Sequence, residues 1–271
     1  MFNTYLKAWS LKADGAPIIR HSSRLLPVRL ASGKPAMLKI ALEAQEQRGG
    51  QVMRCWHGEG AARVYACDSN ALLMERAQDS ASLLDMALSG SDADASRIIC
   101  AVIARLHTAP VPPWSGLVVP LAYWFRALVP AAQVYGGILP FCATTAQELL
   151  ADQHNTVLLH GDMHHNNVLN FGTARGWLAT DPKGLAGERG FEYAALLCNP
   201  ELATATCPQR FMQQLSVVTQ ASGLRRERLL QWTLAYAGLS AAWFLEDEDP
   251  TSAASGLAIA EMALTALRYS T

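Results

Sequence analysis

The stretch HGDMHHNN, residues 160–167, concentrates side chains that can do chemistry. It lies between the apolar runs TVLL and VLNF, and a second aspartate, Asp181, follows fourteen residues after Asn167. Carboxylate and amide oxygens are the hard ligands that Mg²⁺ prefers, and a free carboxylate such as Asp162 can orient an attacking hydroxyl. The spacing of Asp162, Asn167 and Asp181 therefore favours phosphoryl transfer, in which orienting the hydroxyl matters more than the basicity of the aspartate.

A metal-dependent hydrolase is the main alternative from a different class of enzyme. In that interpretation His160, Asp162, His164 and His165 would bind Zn²⁺ or iron. Such a centre needs further histidines downstream, and none follows His165. A polar turn is a third interpretation, and we favour it for His164 and His165 taken singly.

Composition and charge limit the possible partners. The chain has 271 residues, 51% of them hydrophobic, and a net charge of −1. That length suits one large domain or two lobes, and the balanced charge argues against nucleic acid and anionic membrane surfaces. The uncharged run 229–245, which we expect to be a buried helix, is shorter than the roughly 20 residues that span a bilayer. Six scattered cysteines without a CxxC pair indicate a reducing compartment; we expect a cytoplasmic monomer.

The pattern of apolar residues changes near residue 77. Before it, two apolar runs within 16–42, a helix within 43–60 and two strands within 62–77 are predicted. After it, helices are predicted over 92–108, 225–245 and 254–268, with two short β-like segments within 156–184. The sequence thus predicts an α+β protein with a strand-rich part over 1–77 and a helical part over 78–271.

Several stretches resemble one family of kinases. LHGDMHHNNVL followed by ATDPKGL is similar to the catalytic and metal-binding loops of the aminoglycoside phosphotransferases. HSSRLLPVR, PAMLKIA, GWLATDPKGLAGERGFEYA and GLSAAWF resemble, in the same order, the 6-phosphotransferases or streptomycin 6-kinases within the aminoglycoside/hydroxyurea resistance kinases. The likeness covers nearly the whole chain. It implies a two-lobed protein-kinase-like fold with a small β-rich N-terminal lobe carrying one helix and a larger helical C-terminal lobe.

The resemblance also implies where the phosphates of ATP bind. Lys39, on the run AMLKI, matches the family's phosphate-binding lysine, and Glu46 matches the glutamate that pairs with it. Glu43, one helical turn earlier, is the alternative partner. Ser22 and Ser23 stand in the glycine-free loop that covers the phosphates, where they either donate hydrogen bonds or simply form a turn.

The segment LLMERA resembles the hinge between the lobes, at residues 74–78. By that likeness the carbonyl of Glu75 and the amide of Ala77 bind adenine, and Met74 lines the pocket. An ordinary edge strand is the alternative interpretation of the same residues.

In the catalytic segment, the resemblance makes Asp162 the catalytic aspartate and His160 a scaffold behind it. Asn167 and Asp181 become ligands of Mg²⁺. Two positions depart from the family pattern, because Asn166 replaces a glutamate and Lys183 replaces a histidine or a small residue.

The implied acceptor is a cationic aminoglycoside, most specifically the 6-hydroxyl of streptomycin, whose phosphorylation would confer antibiotic resistance. A guanidinium-rich substrate calls for carboxylates, and Glu188 and Glu192 are candidates, although Glu192 can instead brace the catalytic loop. We expect most of the acidic run 246–249 to be solvated. Hydroxyurea or another small hydroxylated molecule is an alternative acceptor. A nucleotide-binding module without turnover is disfavoured, because it has no need of the complete set of catalytic residues.

Overall fold

The computed structural model describes residues 1–78, 81–109, 116–200 and 202–269, with only the backbone of Leu202. The strands are β1 (Lys12–Ala13), β2 (Ile18–Ile19), β3 (Ser23–Arg29), β4 (Pro35–Ala41), β5 (Val64–Cys67), β6 (Ala71–Glu75), β7 (Val119–Pro120), β8 (Thr156–Leu159), β9 (Val168–Asn170), β10 (Trp177–Ala179) and β11 (Leu185–Glu188). The helices are α1 (Phe2–Ala8), α2 (Ala44–Cys55), α3 (Leu83–Leu88), α4 (Asp92–Thr108), α5 (Leu121–Trp124), α6 (Leu128–Tyr135), α7 (Leu139–Ala151), α8 (Gly190–Leu197), α9 (Leu202–Ala205), α10 (Pro208–Ser222), α11 (Arg226–Glu246) and α12 (Pro250–Arg268), with a 3₁₀ turn at Phe125–Ala127.

An antiparallel sheet dominates the first 75 residues. Its strand order is β1-β3-β4-β6-β5, and β2 pairs with β3. Successive side chains of a strand point to opposite faces, so in β4 Leu38 and Ile40 are buried in one core while Lys39 points to the other face. The apolar alternation of this short strand is therefore what directs a lysine toward the helical part of the molecule.

Helix α1 packs on the outer face of this sheet and was not predicted. Its partly buried side chains Phe2, Tyr5, Leu6 and Trp9 contact the apolar cluster under β3, β4 and β6. Their spacing of three, four and seven residues is that of an amphipathic helix, but the helix has only seven residues. The strand-rich part thus contains two helices, α1 and α2, where the sequence predicted one.

Helix α11 is the centre of the C-terminal part. Its apolar residues lie on all sides, which is typical of a helix enclosed by others, and it packs against α7, α8 and α12. The predicted helices at 92–108, 225–245 and 254–268 are confirmed as α4, α11 and α12. Together with the sheet they confirm the α+β class.

The two β-like segments predicted around the central motif contain strands that do not all pair with their neighbours in the sequence. TVLL, as β8, pairs with β11, whereas β9 pairs with β10 in a hairpin that joins Val168 to Ala179. An antiparallel hairpin brings its two outer ends together. Asn167 precedes β9 and Asp181 follows β10 closely, so the pairing places both at the same end of the hairpin.

In the described part of the chain, we find no helix whose length and apolar character would let it cross a bilayer.

Candidate active site

A cleft of about 860 Å³ lies between the sheet and the β9–β10 hairpin. All nine residues that the sequence predicted to bind nucleotide or metal line it, namely Ser22, Ser23, Lys39, Glu46, Met74, Glu75, Ala77, Asn167 and Asp181. Its apolar lining comprises Leu25, Met37, Met53, Leu72, Met74, Leu169 and Phe171. A cavity with one apolar region and one charged region suits a ligand that carries a flat ring and an anionic tail.

Lys39 is the point at which the sheet, α2 and the hairpin meet. Only 7% of this lysine is exposed, and its ammonium pairs with both Glu46 and Asp181. Glu46 lies in the first turn of α2, and its Oε1 accepts a hydrogen bond of 3.1 Å from the hydroxyl of Ser22. The alternative partner, Glu43, lies at the surface, 3.7 Å from His21.

The carboxylate of Asp162 has two unequal oxygens. Oδ2 accepts a hydrogen bond of 3.3 Å from Nδ2 of Asn167, whose Nδ2 also donates to the backbone carbonyl of Asp162 at 2.8 Å. Nε2 of His164 lies 3.7 Å from Oδ1, beyond hydrogen-bond distance. Burial lowers the pKa of His164, which keeps its imidazole neutral. Oδ1 is thus the oxygen that is left for an incoming hydroxyl.

Asp181 occupies a strained backbone position with φ of +66°. Aspartate tolerates this left-handed region better than most residues, and Thr180 before it is fixed by a 2.8 Å bond from its amide to the carbonyl of Asn167. Burial by itself would raise the pKa of Asp181, but Lys39 and Lys183 outweigh burial and the pKa is lowered. The carboxylate therefore stays ionised.

Asn167 and Asp181 fit the donor set of a magnesium ion. The amide nitrogen of Asn167 is engaged by Asp162, so its oxygen is the free end, and the Asp181 carboxylate is 40% exposed. Magnesium is usually bound through one or two carboxylates plus water and phosphate oxygens, so an amide and a carboxylate lining one cavity suffice.

Lys183 is a second lysine in this cluster. Its Nζ lies 3.4 Å from Oδ2 of Asp162 and 3.8 Å from Oε1 of Glu46. Burial alone would lower the pKa of Lys183, but Asp162, Asp181 and Glu46 together raise it. The side chain is therefore a cation facing the carboxylate of Asp162.

His160 and Glu192 form the layer behind the catalytic loop. Nε2 of His160 is 2.8 Å from the carbonyl of Thr180, which can only accept, so Nε2 carries the proton and Nδ1 accepts from the amide of Asp162. The carboxylate of Glu192 accepts from the amides of His160 at 2.6 Å and Gly161 at 2.8 Å. These bonds fix the backbone from which Asp162 projects.

Comparison with known proteins decides the family. Residues 8–248 match the family model described as aminoglycoside/hydroxyurea antibiotic resistance kinase. A streptomycin 3''-kinase from Klebsiella pneumoniae is 45% identical, over 89% of this chain and 91% of its own length.

The chain belongs to the aminoglycoside/hydroxyurea resistance kinases.

Two further comparisons extend this result. A streptomycin 6-kinase from Streptomyces griseus is 31% identical to this kinase, over 93% of this chain and 85% of its own length. A thermostable mutant of aminoglycoside phosphotransferase APH(4)-Ia, solved with ADP and hygromycin B, superposes with a TM-score of 0.69 over 97% of both chains at 13% identity. At such low identity the superposition shows a shared fold and nothing more. It confirms the protein-kinase-like architecture predicted from the sequence.

The hydrolase interpretation is not supported. Within the described ranges, no three His, Cys, Asp or Glu side chains lie together in a way that would hold a metal ion. His160 binds the carbonyl of Thr180, and His165 is only 2% exposed, with burial lowering its pKa to about 4. The proteins that match this chain are kinases.

Glu188 and Glu192 require a correction, because the structure does not bring either carboxylate to the cleft of this kinase. Glu192 is 1% exposed and is occupied by backbone amides. Glu188 is 2% exposed; its oxygens bind the guanidinium of Arg228, the indole of Trp232 at 2.8 Å and the amide of His154 at 3.0 Å. Both therefore brace the fold instead of facing a substrate.

The acidic run at 246–249 is at the surface, as the sequence predicted for most of its members. Glu246, Asp247 and Glu248 are exposed. Asp249 caps α12 by accepting a 3.0 Å bond from the amide of Ser252.

Sequence reasoning missed how closely α2 approaches the loop that follows Asp181. A Cβ added at Gly49 would overlap the carbonyl oxygen of Pro182. Nε of Arg48 donates to the carbonyl of Lys183 at 3.2 Å. In the sequence, only the pair Gly49 and Gly50 inside a predicted helix indicates this contact. Glycine lowers helix propensity, and nothing nearby in the sequence explains why two glycines stand there.

We predict that Gly49→Ala weakens nucleotide binding by about tenfold, or about 1.4 kcal/mol. The new methyl group displaces α2 from the Pro182 loop and separates Glu46 from Asp181. The measurement is the dissociation constant of an ATP analogue by titration calorimetry.

Gly50→Ala is the matched control for this substitution. Its added Cβ would lie 3.8 Å from Cβ of Leu72 and 3.9 Å from Sγ of Cys67, which are ordinary contacts. Alanine also favours the helix by about 0.5–1 kcal/mol, so this control should bind nucleotide normally. Equal affinities in the two variants would contradict a close approach that depends on Gly49.

We predict that Glu188→Gln destabilises the protein by about 1–3 kcal/mol while the KM for both substrates stays unchanged. Burial by itself raises the pKa of Glu188, but hydrogen bonds from Arg228, His154 and Trp232 lower it overall. A lowered pKa stabilises the fold above the unfolded value of about 4.3. The difference between the variant and the wild type should therefore shrink as the pH falls below that value and be lost as the pH falls through the lower pKa of the folded state.

Urea unfolding at pH 7 and at successively lower pH measures this effect. An acceptor KM that rises severalfold with no loss of stability would instead return Glu188 to the substrate site.

Proposed function

We propose that this kinase transfers the γ-phosphate of ATP to a hydroxyl of streptomycin and thereby confers resistance. One observation carries the proposal: Asp162 stands beside Asn167, at the edge of a cleft that also holds Asp181 and the Lys39–Glu46 pair. Phosphoryl transfer needs mainly positioning and charge stabilisation, and this cluster contains groups for both.

The nucleotide would lie along the cleft with its base against the 74–78 segment. The carboxylate of Glu75 is bound by the amide of Arg63 and by Nε of Arg175, both at 3.3 Å, which leaves the backbone to read adenine. In our proposal the carbonyl of Glu75 and the amide of Ala77 do so beside Met74. This segment then acts as a hinge between lobes at 1–77 and 78–271.

The triphosphate would extend toward Lys39, which Glu46 holds in place. Ser22 and Ser23, at the start of β3, lie where they can cover the phosphates. Asn167 and Asp181 would hold Mg²⁺, which when bound neutralises phosphate charge and lowers the cost of transfer.

The acceptor hydroxyl would donate its hydrogen bond to Oδ1 of Asp162. Its oxygen attacks the γ-phosphorus as the bond from that phosphorus to the β-γ bridging oxygen breaks. The hydroxyl proton passes to Asp162, and the products are ADP and a phosphate monoester. Asn167 holds Oδ2 during this step, so the other oxygen stays directed at the hydroxyl.

The choice of streptomycin rests on relatives. The resemblance of the sequence pointed to the 6-hydroxyl, but the more similar of the two streptomycin kinases is the 3''-kinase, with 45% against 31% identity. We therefore propose the 3''-hydroxyl as the acceptor, with the 6-hydroxyl as the alternative. The description of the family favours hydroxyurea as a second candidate substrate.

We predict that streptomycin supports ADP release in the presence of Mg²⁺ and ATP, and that Asp162→Asn lowers kcat by about a hundredfold or more. The amide cannot take the proton, whereas nucleotide affinity should change little. Steady-state rates over a panel of streptomycin, other aminoglycosides and hydroxyurea measure the first effect, and phosphorus NMR of the product assigns the hydroxyl.

Asp152→Asn is a control of the same chemistry at an exposed position. Asp152 pairs with His154 at 3.2 Å on the surface, and the side chain of Asp152 is 74% exposed. It should leave kcat unchanged. A near-normal rate in Asp162→Asn would exclude the proposed role of that carboxylate. If the enzyme phosphorylated hydroxyurea but not streptomycin, hydroxyurea would be the substrate instead.

A further inference from the structure

Lys183 has no role in the transfer step described above, yet it lies against the reacting carboxylate. Its Nζ is 3.4 Å from Oδ2 of Asp162, on the same oxygen that Asn167 holds at 3.3 Å. The side chain is 18% exposed, so the contact is largely shielded from water. Charges in such surroundings interact more strongly than at the surface.

The backbone of Lys183 is fixed from two directions. Its amide donates to the carbonyl of His160 at 2.7 Å, and its own carbonyl accepts from Arg48 of α2 at 3.2 Å. The next residue, Gly184, has φ of +71°, and a Cβ there would lie 2.8 Å from Cγ2 of Val52. The backbone of Lys183 is therefore held in place both by the loop at His160 and by α2.

The two lysines of the cleft share Glu46 and differ in their second partner. Lys39 pairs with Glu46 and Asp181 and thus belongs to the nucleotide and metal side. Lys183 lies between Asp162 and Glu46, with Nζ 3.8 Å from Oε1 of Glu46. One lysine serves the phosphates, and the other connects the catalytic carboxylate to α2.

We propose that Lys183 is a positioning residue: it holds Oδ2 of Asp162 and thereby directs Oδ1 at the acceptor hydroxyl. Through Glu46 and Arg48 it makes this orientation depend on α2 lying against the loop after Asp181. The inference rests on the proposed function, because it assigns Asp162 the role given there.

Three variants test this role, namely Lys183→Met, Lys183→Arg and the exposed control Lys12→Met. We expect Lys183→Met to lower kcat by about ten- to a hundredfold, since a misplacement near 1 Å costs about that much. The dissociation constant of an ATP analogue should stay within about twofold of the wild type. Lys183→Arg keeps the charge and should recover most of the lost rate, and Lys12→Met should match the wild type.

Each other outcome overturns the inference. A kcat within about twofold of the wild type in Lys183→Met means that Asp162 needs no such support. A loss of nucleotide affinity as large as the loss of kcat makes Lys183 a ligand of the bound nucleotide. Failure of Lys183→Arg to recover any activity, when thermal unfolding shows it folded, excludes a role for the charge.

The same experiment separates this inference from the proposed function. Wild-type turnover over the acceptor panel is measured first, and its absence would overturn the function itself. Normal wild-type turnover with an unaffected Lys183→Met variant would overturn only the role of the lysine.

Discussion

Pairing of opposite charges inside one small cleft links the sheet, α2 and the segment that follows the β9–β10 hairpin. Three carboxylates, of Asp162, Asp181 and Glu46, face two ammonium groups, of Lys39 and Lys183. Buried charges are tolerated only when they are paired and hydrogen-bonded. Three negative and two positive charges leave one net negative charge, which favours a cation beside Asp181. The folding requirement and the catalytic requirement thus coincide in one set of contacts.

The elements that supply these charges are held together by close backbone approach. The β9–β10 hairpin brings Asn167 and Asp181 to one end, and α2 lies so near the following loop that residue 49 must be glycine. Arg48 adds a hydrogen bond across the same contact. A displacement of α2 would therefore affect both the Lys39–Glu46 pair and the loop that follows Asp181. In the function that we propose, this couples the nucleotide site to the catalytic loop.

Local patterns in the sequence predicted the parts of this site that depend on spacing alone. Asp162, Asn167 and Asp181 are close in the chain, and the apolar neighbours of Lys39 indicate its strand. Local pattern did not decide the roles of Glu188 and Glu192, because a carboxylate near a catalytic motif has the same local pattern whether it faces a ligand or satisfies buried amides. For Glu192 the resemblance offered the bracing role as an alternative, and the structure agrees with it. Only tertiary packing shows that Glu192 binds the amides of His160 and Gly161. The pairing of β8 with β11 and the short helix α1 likewise depend on contacts distant in the chain.

We propose that Asp181 binds magnesium on a nucleotide held in the cleft. Titration calorimetry of a non-hydrolysable ATP analogue, with and without Mg²⁺, tests it most directly in the wild type and in Asp181→Asn. We predict that Mg²⁺ tightens binding by about tenfold or more in the wild type, and that Asp181→Asn loses this gain. An equal gain from Mg²⁺ in both proteins would contradict the account.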